Sequence, residues 1–519
     1  MFSQLMNARK NCLPGEEMTM AGIKESFTIK ELFKGTECKI FGEKTIPVLR
    51  ITDDSRQVIP GSLFFAVEGT QHKGVDFVSE AIGRGAVGVV TAKPLSGFSP
   101  AVKIVAENVP RVMAEVARRF YKLPDERLEL IGVTGTNGKT TVTMLAQYLL
   151  SEQKGDVGLI GTVKYDLGKR AMASRRTTPM IIHTCGMLDE MAKSGCKKAL
   201  MEVSSHGIDQ QRVSRLHFAI GAFLNLTPEH LDYHEDMESY YRAKRLFFMA
   251  EGGSTMRKAI ISIDDPYGKR LADEVTQEGR IEILTTGINT ACDIRAEGIT
   301  YTSEGSEFTL CWPTGKTIVK SPLLGKYNVY NLVNAMAIGW ANGCDMETMA
   351  RKVATFLGVP GRMQRVEAGQ EFQVIVDYAH KEEALVNVLQ ELRKIITGKL
   401  VVVFGCGGNR DRQKRPKMTA AVQEYADFGW ATSDNPRKES VEVIFEDMRA
   451  GVTKPDLIAF ERDRKEAIRK AIENARKGDC ILIAGKGHET YQEFADTIVP
   501  FDDVQVAKEV LNHLLLARS

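Results

Sequence analysis

Long apolar runs are missing from this chain: none approaches the ~18–20 residues that a membrane-spanning helix needs. An excess of either charge is missing too. Lys+Arg 69 against Asp+Glu 67 leaves a formal net charge of +2, so no bulk electrostatic attraction draws the chain to nucleic acid or an anionic membrane. The nine cysteines show neither CxxC nor CxxH spacing, which excludes a zinc module and suits reduced thiols. Residues 1–20, MFSQLMNARKNCLPGEEMTM, lack the apolar core of a signal peptide. Residues 1–23 are expected to be a disordered tail, with Met18 and Met20 as alternative starts, and the compartment to be the cytoplasm. What is present is an ordinary globular composition, 43% hydrophobic and 26% charged over 519 residues, too long for one core.

The chain is organised around LELIGVTGTNGKTT, residues 128–141. An apolar run to Val133 breaks through glycines into a helical pattern carrying Val142, Leu145, Leu149 and Leu150. Such a strand–turn–helix leaves backbone N–H groups unpaired and aims a positive dipole end at one spot, which is a phosphate cradle. Lys139 supplies a mobile charge for the β/γ-phosphates, and the Thr140 hydroxyl is placed to ligate Mg²⁺. The common P-loop spacing would need glycine at 133, where Val133 stands. The loop here is the shorter Gly135-Thr136-Asn137-Gly138-Lys139-Thr140-Thr141.

Residues 24–108 read as a small α/β domain, with a turn at Asp53-Asp54-Ser55-Arg56 that combines a hydroxyl and an anion-friendly arginine, or is simply a solvated turn. A second domain is expected over 109–358, where polar sets follow apolar strands. They are Thr177-Thr178-Pro179; Glu202, Ser204, Ser205 and His206; Asn225, Thr227, Glu229, His230, Asp232 and His234; and Lys244 on the next helix. Ligands in parallel α/β sheets sit beyond the carboxyl ends of strands, so these sets should converge on the phosphate loop and suit Mg²⁺. An Asn-rich helix start follows SPLLGKYNVYN, and Gly358–Arg362 reads as a hinge.

From 371 strands and helices alternate again, with glycines after strands, which predicts a doubly wound parallel sheet over 359–519. Gly405-Cys406-Gly407-Gly408 lacks the G-x-G-x-x-G of a dinucleotide site. Arg410, Arg412, Lys414 and Arg415 follow a strand end and are expected to meet an anion. Asp434-Asn435-Pro436-Arg437 reads as a helix start, with Asn435 as N-cap and Pro436 at N1. A cation at Arg437 in that first turn would then need an anionic ligand to explain it.

The motifs GTNGKTT, TTP, EVSSHG, NLTPEHLDYH with its downstream lysine, GKYNVYN, GRMQ, DYAHKEEAL, FGCGGNRDRQKRP, DNPR and AGKGHE occur in an order that resembles the Mur ligases of peptidoglycan synthesis, over about residues 50–505. The resemblance implies an α/β fold of three domains: one for the UDP end of the substrate, a central P-loop-type ATPase with a parallel sheet, and a C-terminal Rossmann-like domain for the amino acid. It implies ATP-dependent amide formation, in which the D-glutamate γ-carboxylate of UDP-MurNAc-L-Ala-D-Glu is phosphorylated and an amine attacks the acyl phosphate.

By the same resemblance, Gly135–Thr141, Asn328, Asn331, Arg362 and Asp377 would hold ATP, and Lys139, Glu202, His230 and Lys244 would serve catalysis. Thr140, Glu202, His230 and Lys244, the last as a carbamate formed from CO₂, would bind Mg²⁺. Asp53, Ser55, Thr70, Gln71, His72, Thr177, Thr178, Ser204, Gln210 and Arg212 would hold the UDP-MurNAc-dipeptide. Arg410, Asp434, Asn435, Pro436, Arg437, Gly485 and Glu489 would hold the added amino acid, for which DNPR implies meso-diaminopimelate. L-Lysine is the alternative amino acid, and a folylpolyglutamate synthase-like ligase the alternative enzyme. A relative that binds the muropeptide without ligation stands as a non-catalytic reading. A monomer is expected. Two departures from the family pattern, Lys381-Glu382 after DYAH and Asn409 before Arg410, are expected to leave the chemistry untouched.

Overall fold

The computed structural model describes residues 26–69, 72–97 and 100–518. The expected tail at 1–23, with Thr70 and Gln71, lies outside the described residues. The fold is α/β, built on three main sheets. By contacts the chain divides into two units, the first running to Pro124 and taking in Met180–Asp189 and Gln210–Arg215.

The first unit carries a five-stranded sheet in the order Lys39–Phe41, Val102–Val105, Ala86–Thr91, Ser62–Phe65 and Arg50–Thr52, parallel except for the first pair. The helix Val109–Phe120, capped by Asn108 with Pro110 in its first turn, belongs to this unit rather than opening the next one. Its Arg119 donates to Leu32 O at 2.6 Å and to Thr36 Oγ1 at 2.7 Å, which ties it to the amino-terminal helix Ile29–Leu32.

The second unit holds an eleven-stranded sheet whose middle is parallel: Val157–Ile160, Lys198–Glu202, Glu129–Thr134, His217–Phe223, Thr255–Ser262, Glu282–Gly287 and Ile294–Thr302. Its central strands are buried on both faces, hence their unbroken apolar runs. Antiparallel strands finish both sides, ending at Ala171–Ala173 and at Gly315–Ser321. The phosphate-loop strand lies between Lys198–Glu202 and His217–Phe223, with Glu202 level with Val133 and Phe223 with Thr134. The three strand ends that carry the polar sets are therefore neighbours.

The same unit contains a six-stranded sheet. After the antiparallel edge Gln364–Arg365 it runs parallel through Gln373–Asp377, Cys480–Ala484, Leu400–Cys406, Phe428–Ser433 and Ile458–Glu461. A hairpin follows, Tyr491–Phe494 with Thr497–Pro500. Fully buried Arg464 makes a two-pronged ion pair with Asp503 at 2.7 Å and donates to Ala484 O at 3.0 Å, which fixes the strand end just before Gly485. Among the described residues no helix is long and apolar enough to cross a membrane.

One local expectation fails. No helix begins at Asn435 or Pro436; the next helix is Val441–Arg449, capped by Ser440. Arg437 adopts φ +53°, because its backbone pairs with the hairpin instead of continuing into a helical turn.

Candidate active site

The helix Lys139–Leu150 begins directly after Gly138, whose φ is +88°. A Cβ there would be strained and would collide with Asn331 Oδ1, so the glycine lets the Lys326–Ala341 helix close over the loop. Thr136 and Asn137 are clamped from the neighbouring strand end. Thr136 N–H donates to Asn225 O at 3.0 Å, Asn137 N–H donates to Asn225 Oδ1 at 2.8 Å, and the Thr136 hydroxyl accepts from Thr227 N–H at 3.0 Å and lies 3.2 Å from the Tyr240 hydroxyl. Lys139 curls over the loop, donating to Gly135 O at 2.8 Å and Thr136 O at 2.9 Å. Burial holds its ammonium below the usual lysine range, against the pull of Glu202 and Glu229.

At the end of the adjacent strand, buried Glu202 accepts from Thr140 Oγ1 at 3.0 Å, Thr162 N–H at 2.7 Å and Thr162 Oγ1 at 2.9 Å. The Thr177 hydroxyl lies 3.0 Å from Thr162 Oγ1, Thr178 donates to Glu202 O at 2.9 Å, and Ser204 N–H donates to Thr178 Oγ1 at 2.9 Å. A carboxylate and a threonine hydroxyl beside a phosphate loop are hard oxygen donors, and that set fits Mg²⁺ with its remaining positions filled by water and phosphate. Among the described residues no three of His, Cys, Asp and Glu are grouped to hold a metal.

His230 stands off this pair on a left-handed backbone (φ +58°) at the start of the short helix Leu231–His234. Burial pushes its imidazole down to about 4, although Glu229 opposes the shift, so at neutral pH the ring is neutral. Lys244, 1% exposed, donates to Gly135 O at 3.0 Å and Thr134 Oγ1 at 3.4 Å and lies over the Tyr240 ring. Burial, reinforced by Lys139, drives its amine well below the usual lysine range. A buried amine with no carboxylate bonded to it is unusual. Its neutral form is the one that reacts with CO₂.

Asn331 donates to Asn328 Oδ1 at 3.0 Å, and Asn328 donates to Leu324 O at 2.8 Å. Arg362 lies over the Tyr378 ring at 4.6 Å, and its buried Nε has no acceptor among the described residues. Asp377 accepts from Met363 N–H at 2.7 Å and Ala379 N–H at 2.8 Å; burial raises its carboxyl, opposed by Arg362. Lys381, one of the two departures, pairs through its Nζ with Glu229 Oε1 at 3.0 Å, next to His230 in sequence; Glu229 is not among the residues expected to carry the chemistry. Burial raises the Glu229 carboxyl, but Lys381, His230 and Lys139 together hold it below its usual range.

In the six-stranded sheet the predicted amino-acid residues do collect. Arg437 Nη1 donates to Gly408 O at 3.0 Å and its Nε pairs with Glu493 at 2.9 Å. A Cβ on Gly407 would lie 3.0 Å from Arg437 Nη1 and 3.7 Å from Arg410 Cγ, so the two arginines flank one glycine. Asn435 donates to Glu489 Oε2 at 2.9 Å and accepts from Lys486 Nζ at 3.1 Å. Asp434 faces Gly485, whose φ is +111°. Within the basic run, Arg410 is exposed and makes no hydrogen bond or ion pair among the described residues. Arg412 pairs with Asp447, fully buried Arg415 with Glu439 and Asp447, and Lys414 donates to His380 O, so protein acceptors take the place of an anion.

In the first unit, Ser55 donates to Glu80 at 2.8 Å, His72 lies edge-on to Phe77, and Arg212 donates to Gln210 at 2.5 Å. Arg56 grips Asp54 at 2.9 Å with two nitrogens, so the turn that also carries Asp53 satisfies its own arginine. Thr162, Tyr240, Lys381, Lys486 and Glu493 were missed by sequence reasoning. Of these, Lys381 stands inside DYAHKEEAL and Lys486 inside AGKGHE.

Three family models match the chain: Mur ligase family, catalytic domain, over 48–121; Mur ligase middle domain, over 133–339; and Mur ligase, glutamate ligase domain, over 361–487. The chain is 42% identical to proteins named UDP-N-acetylmuramoyl-L-alanyl-D-glutamate--2,6-diaminopimelate ligase from Solibacter usitatus (88% of this chain, 92% of that one) and Gloeobacter violaceus (90% and 94%). A solved structure of that name superposes with TM-score 0.70 at 33% identity over 94% of this chain and 99% of the other. Thermotoga maritima MurF ligase in complex with ADP shares the fold at 18% identity, TM-score 0.56, over 91% and 98%. By its motifs, its sheets and its relatives, the chain belongs to the Mur ligase family.

Proposed function

We propose that this chain is the ATP-dependent ligase that joins meso-diaminopimelate to the D-glutamate γ-carboxylate of UDP-MurNAc-L-Ala-D-Glu, in peptidoglycan precursor synthesis. The observation that carries the reading is one chain with both halves of the chemistry: a phosphate loop flanked by Lys139 and Glu202, and an arginine pair, Arg410 and Arg437, around Gly407. A carboxylate is a poor electrophile, so the γ-phosphoryl group of ATP is moved to it first. The amine then attacks the acyl carbon, the C–O bond to phosphate breaks, and phosphate leaves after ADP. The protein's work is positioning and charge neutralisation.

In this reading Lys139 and the N–H groups of Gly135–Thr141 hold the β/γ-phosphates, and Asn328, Asn331, Arg362 and Asp377 hold the nucleoside. Thr140, Glu202 and His230, with Lys244 as a carbamate, hold Mg²⁺, which supplies charge neutralisation for phosphoryl transfer. Asp53, Ser55, His72, Thr177, Thr178, Ser204, Gln210 and Arg212 contact the UDP-MurNAc-dipeptide, a role also assigned to Thr70 and Gln71. Arg410 and Arg437 take diaminopimelate carboxylates, since a guanidinium fork matches that geometry. Gly485 and Glu489 meet its far-end ammonium and carboxylate groups, beside Asp434, Asn435 and Pro436.

The test is phosphate release with UDP-MurNAc-L-Ala-D-Glu and ATP, comparing meso-diaminopimelate, L-lysine and no amino acid. Release with diaminopimelate alone is expected. Release with lysine instead would keep the ligase and discard the arginine clamp, and release with neither would remove the reading. Arg437→Ala is expected to raise the KM for diaminopimelate about a hundredfold, the loss of one two-pronged charged contact of ~2–3 kcal/mol. The KM for ATP should stay within about twofold, because Arg437 has no contact with the phosphate loop. An unchanged KM for diaminopimelate contradicts the clamp.

A further inference from the structure

Arg437 is one of the few residues other than glycine with positive φ (+53°) among the described residues, and a strained backbone of this kind persists only where its surroundings over-determine it. What surrounds it is the hairpin Tyr491–Phe494 with Thr497–Pro500. Arg437 N–H donates to Glu493 O at 2.9 Å and Ala495 N–H donates to Arg437 O at 2.6 Å. The hairpin holds the preceding residues as well. The buried Gln492 amide donates to Ser433 Oγ at 3.2 Å and Asp434 O at 3.0 Å, and Glu493 N–H donates to Asn435 Oδ1 at 3.0 Å. Asp434, Asn435 and Arg437 of the DNPR segment are thus each bonded to the hairpin.

Glu493 then orients the side chain. Its carboxylate takes Arg437 Nε at 2.9 Å while Gly408 O takes Nη1 at 3.0 Å. No described residue accepts from Nη2. With Nε engaged, the donors left are on the Nη1/Nη2 end of the guanidinium, which is a two-pronged face for a carboxylate.

We propose that Glu493 is a positioning residue for amino-acid specificity, and that the hairpin is the frame that presents the end-on fork of Arg437 to the distal carboxylate of the incoming amino acid. The proposal rests on the reading of Arg437 given above. Because the carboxylate acts through orientation, glutamine should replace it, since its amide oxygen accepts from Nε in the same place.

The test measures KM for meso-diaminopimelate, ATP and UDP-MurNAc-L-Ala-D-Glu in Glu493→Ala, Glu493→Gln and Arg437→Ala. Glu493→Ala is expected to raise the KM for diaminopimelate about tenfold, the scale of one lost charge-assisted hydrogen bond. Its other two KM values and kcat at saturation should stay within about twofold, and Glu493→Gln should stay close to the parent. If Glu493→Ala leaves that KM unchanged or lowers it while Arg437→Ala raises it, the positioning role is wrong and the clamp stands. If all three KM values rise together, Glu493 is merely structural and the proposal also fails. If Arg437→Ala itself has no effect, the clamp reading fails first.

Discussion

Lys139→Ala is expected to slow ligation by about a thousandfold or more at saturating substrates, the scale seen when a preorganised charge at the transferring group is removed. The fold should survive. The lysine sits at the first position of its helix, where alanine is a better helix former, and the two carbonyls it now engages, Gly135 O and Thr136 O, lie on a loop also held by Asn225 and Thr227. Phosphate release measures the rate and a thermal melt checks the fold. Turnover near that of the parent, with an unchanged melt, would remove the phosphate-loop assignment.

Lys244→Ala is expected to lower activity by at least a hundredfold, for a different reason. The amine is buried, bonded only to a carbonyl and a hydroxyl, and burial keeps it well below the ordinary lysine range. Lowering the pKa widens the pH range in which the amine is uncharged and able to add CO₂, and acidification through the depressed pKa protonates it and ends that reactivity. Added bicarbonate should not rescue the alanine variant, while a short carboxylic acid, small enough for the vacated space, should restore part of the activity. Independently of activity, the parent incubated with ¹³C-bicarbonate should show a carbamate carbonyl resonance that the variant lacks. Full activity in the variant, or no such resonance in the parent, would discard the carbamate.

Residues of the phosphate loop and the strand ends were legible because their meaning is local. A glycine-broken strand before a helix has few other uses, and a polar cluster after an apolar run marks a carboxyl end in a parallel sheet. The sheets order those ends as that rule requires, with the Glu202 and Asn225 strands on either side of the loop strand. What could not be read is non-local. Thr162 meets Glu202 across 40 residues and Lys381 meets Glu229 across 152, and neither pair has a spacing to betray it. The helix start expected at Asn435-Pro436 was sound local chemistry that lost to tertiary pairing: the hairpin takes the Arg437 N–H and C=O that a helical turn would have used. Arg415 misled in the same way, since an acceptor pair at Glu439 and Asp447 is invisible from its neighbours in sequence.

The eleven-stranded sheet does not close on itself, and its last strand, Gly315–Ser321, presents an open row of backbone donors and acceptors. Exposed Ile318 (59%) and the β-branched stretch Thr317–Val319 would invite another chain to add a strand there. Lys316 and Lys320 flank the stretch, both exposed, Lys320 paired with Glu307 at 2.9 Å, and a second copy docking edge to edge would have to take these charged groups out of water. Charged side chains on this edge oppose strand addition by a second copy at high protein concentration. Salt, by screening them, should weaken that opposition before it affects catalysis.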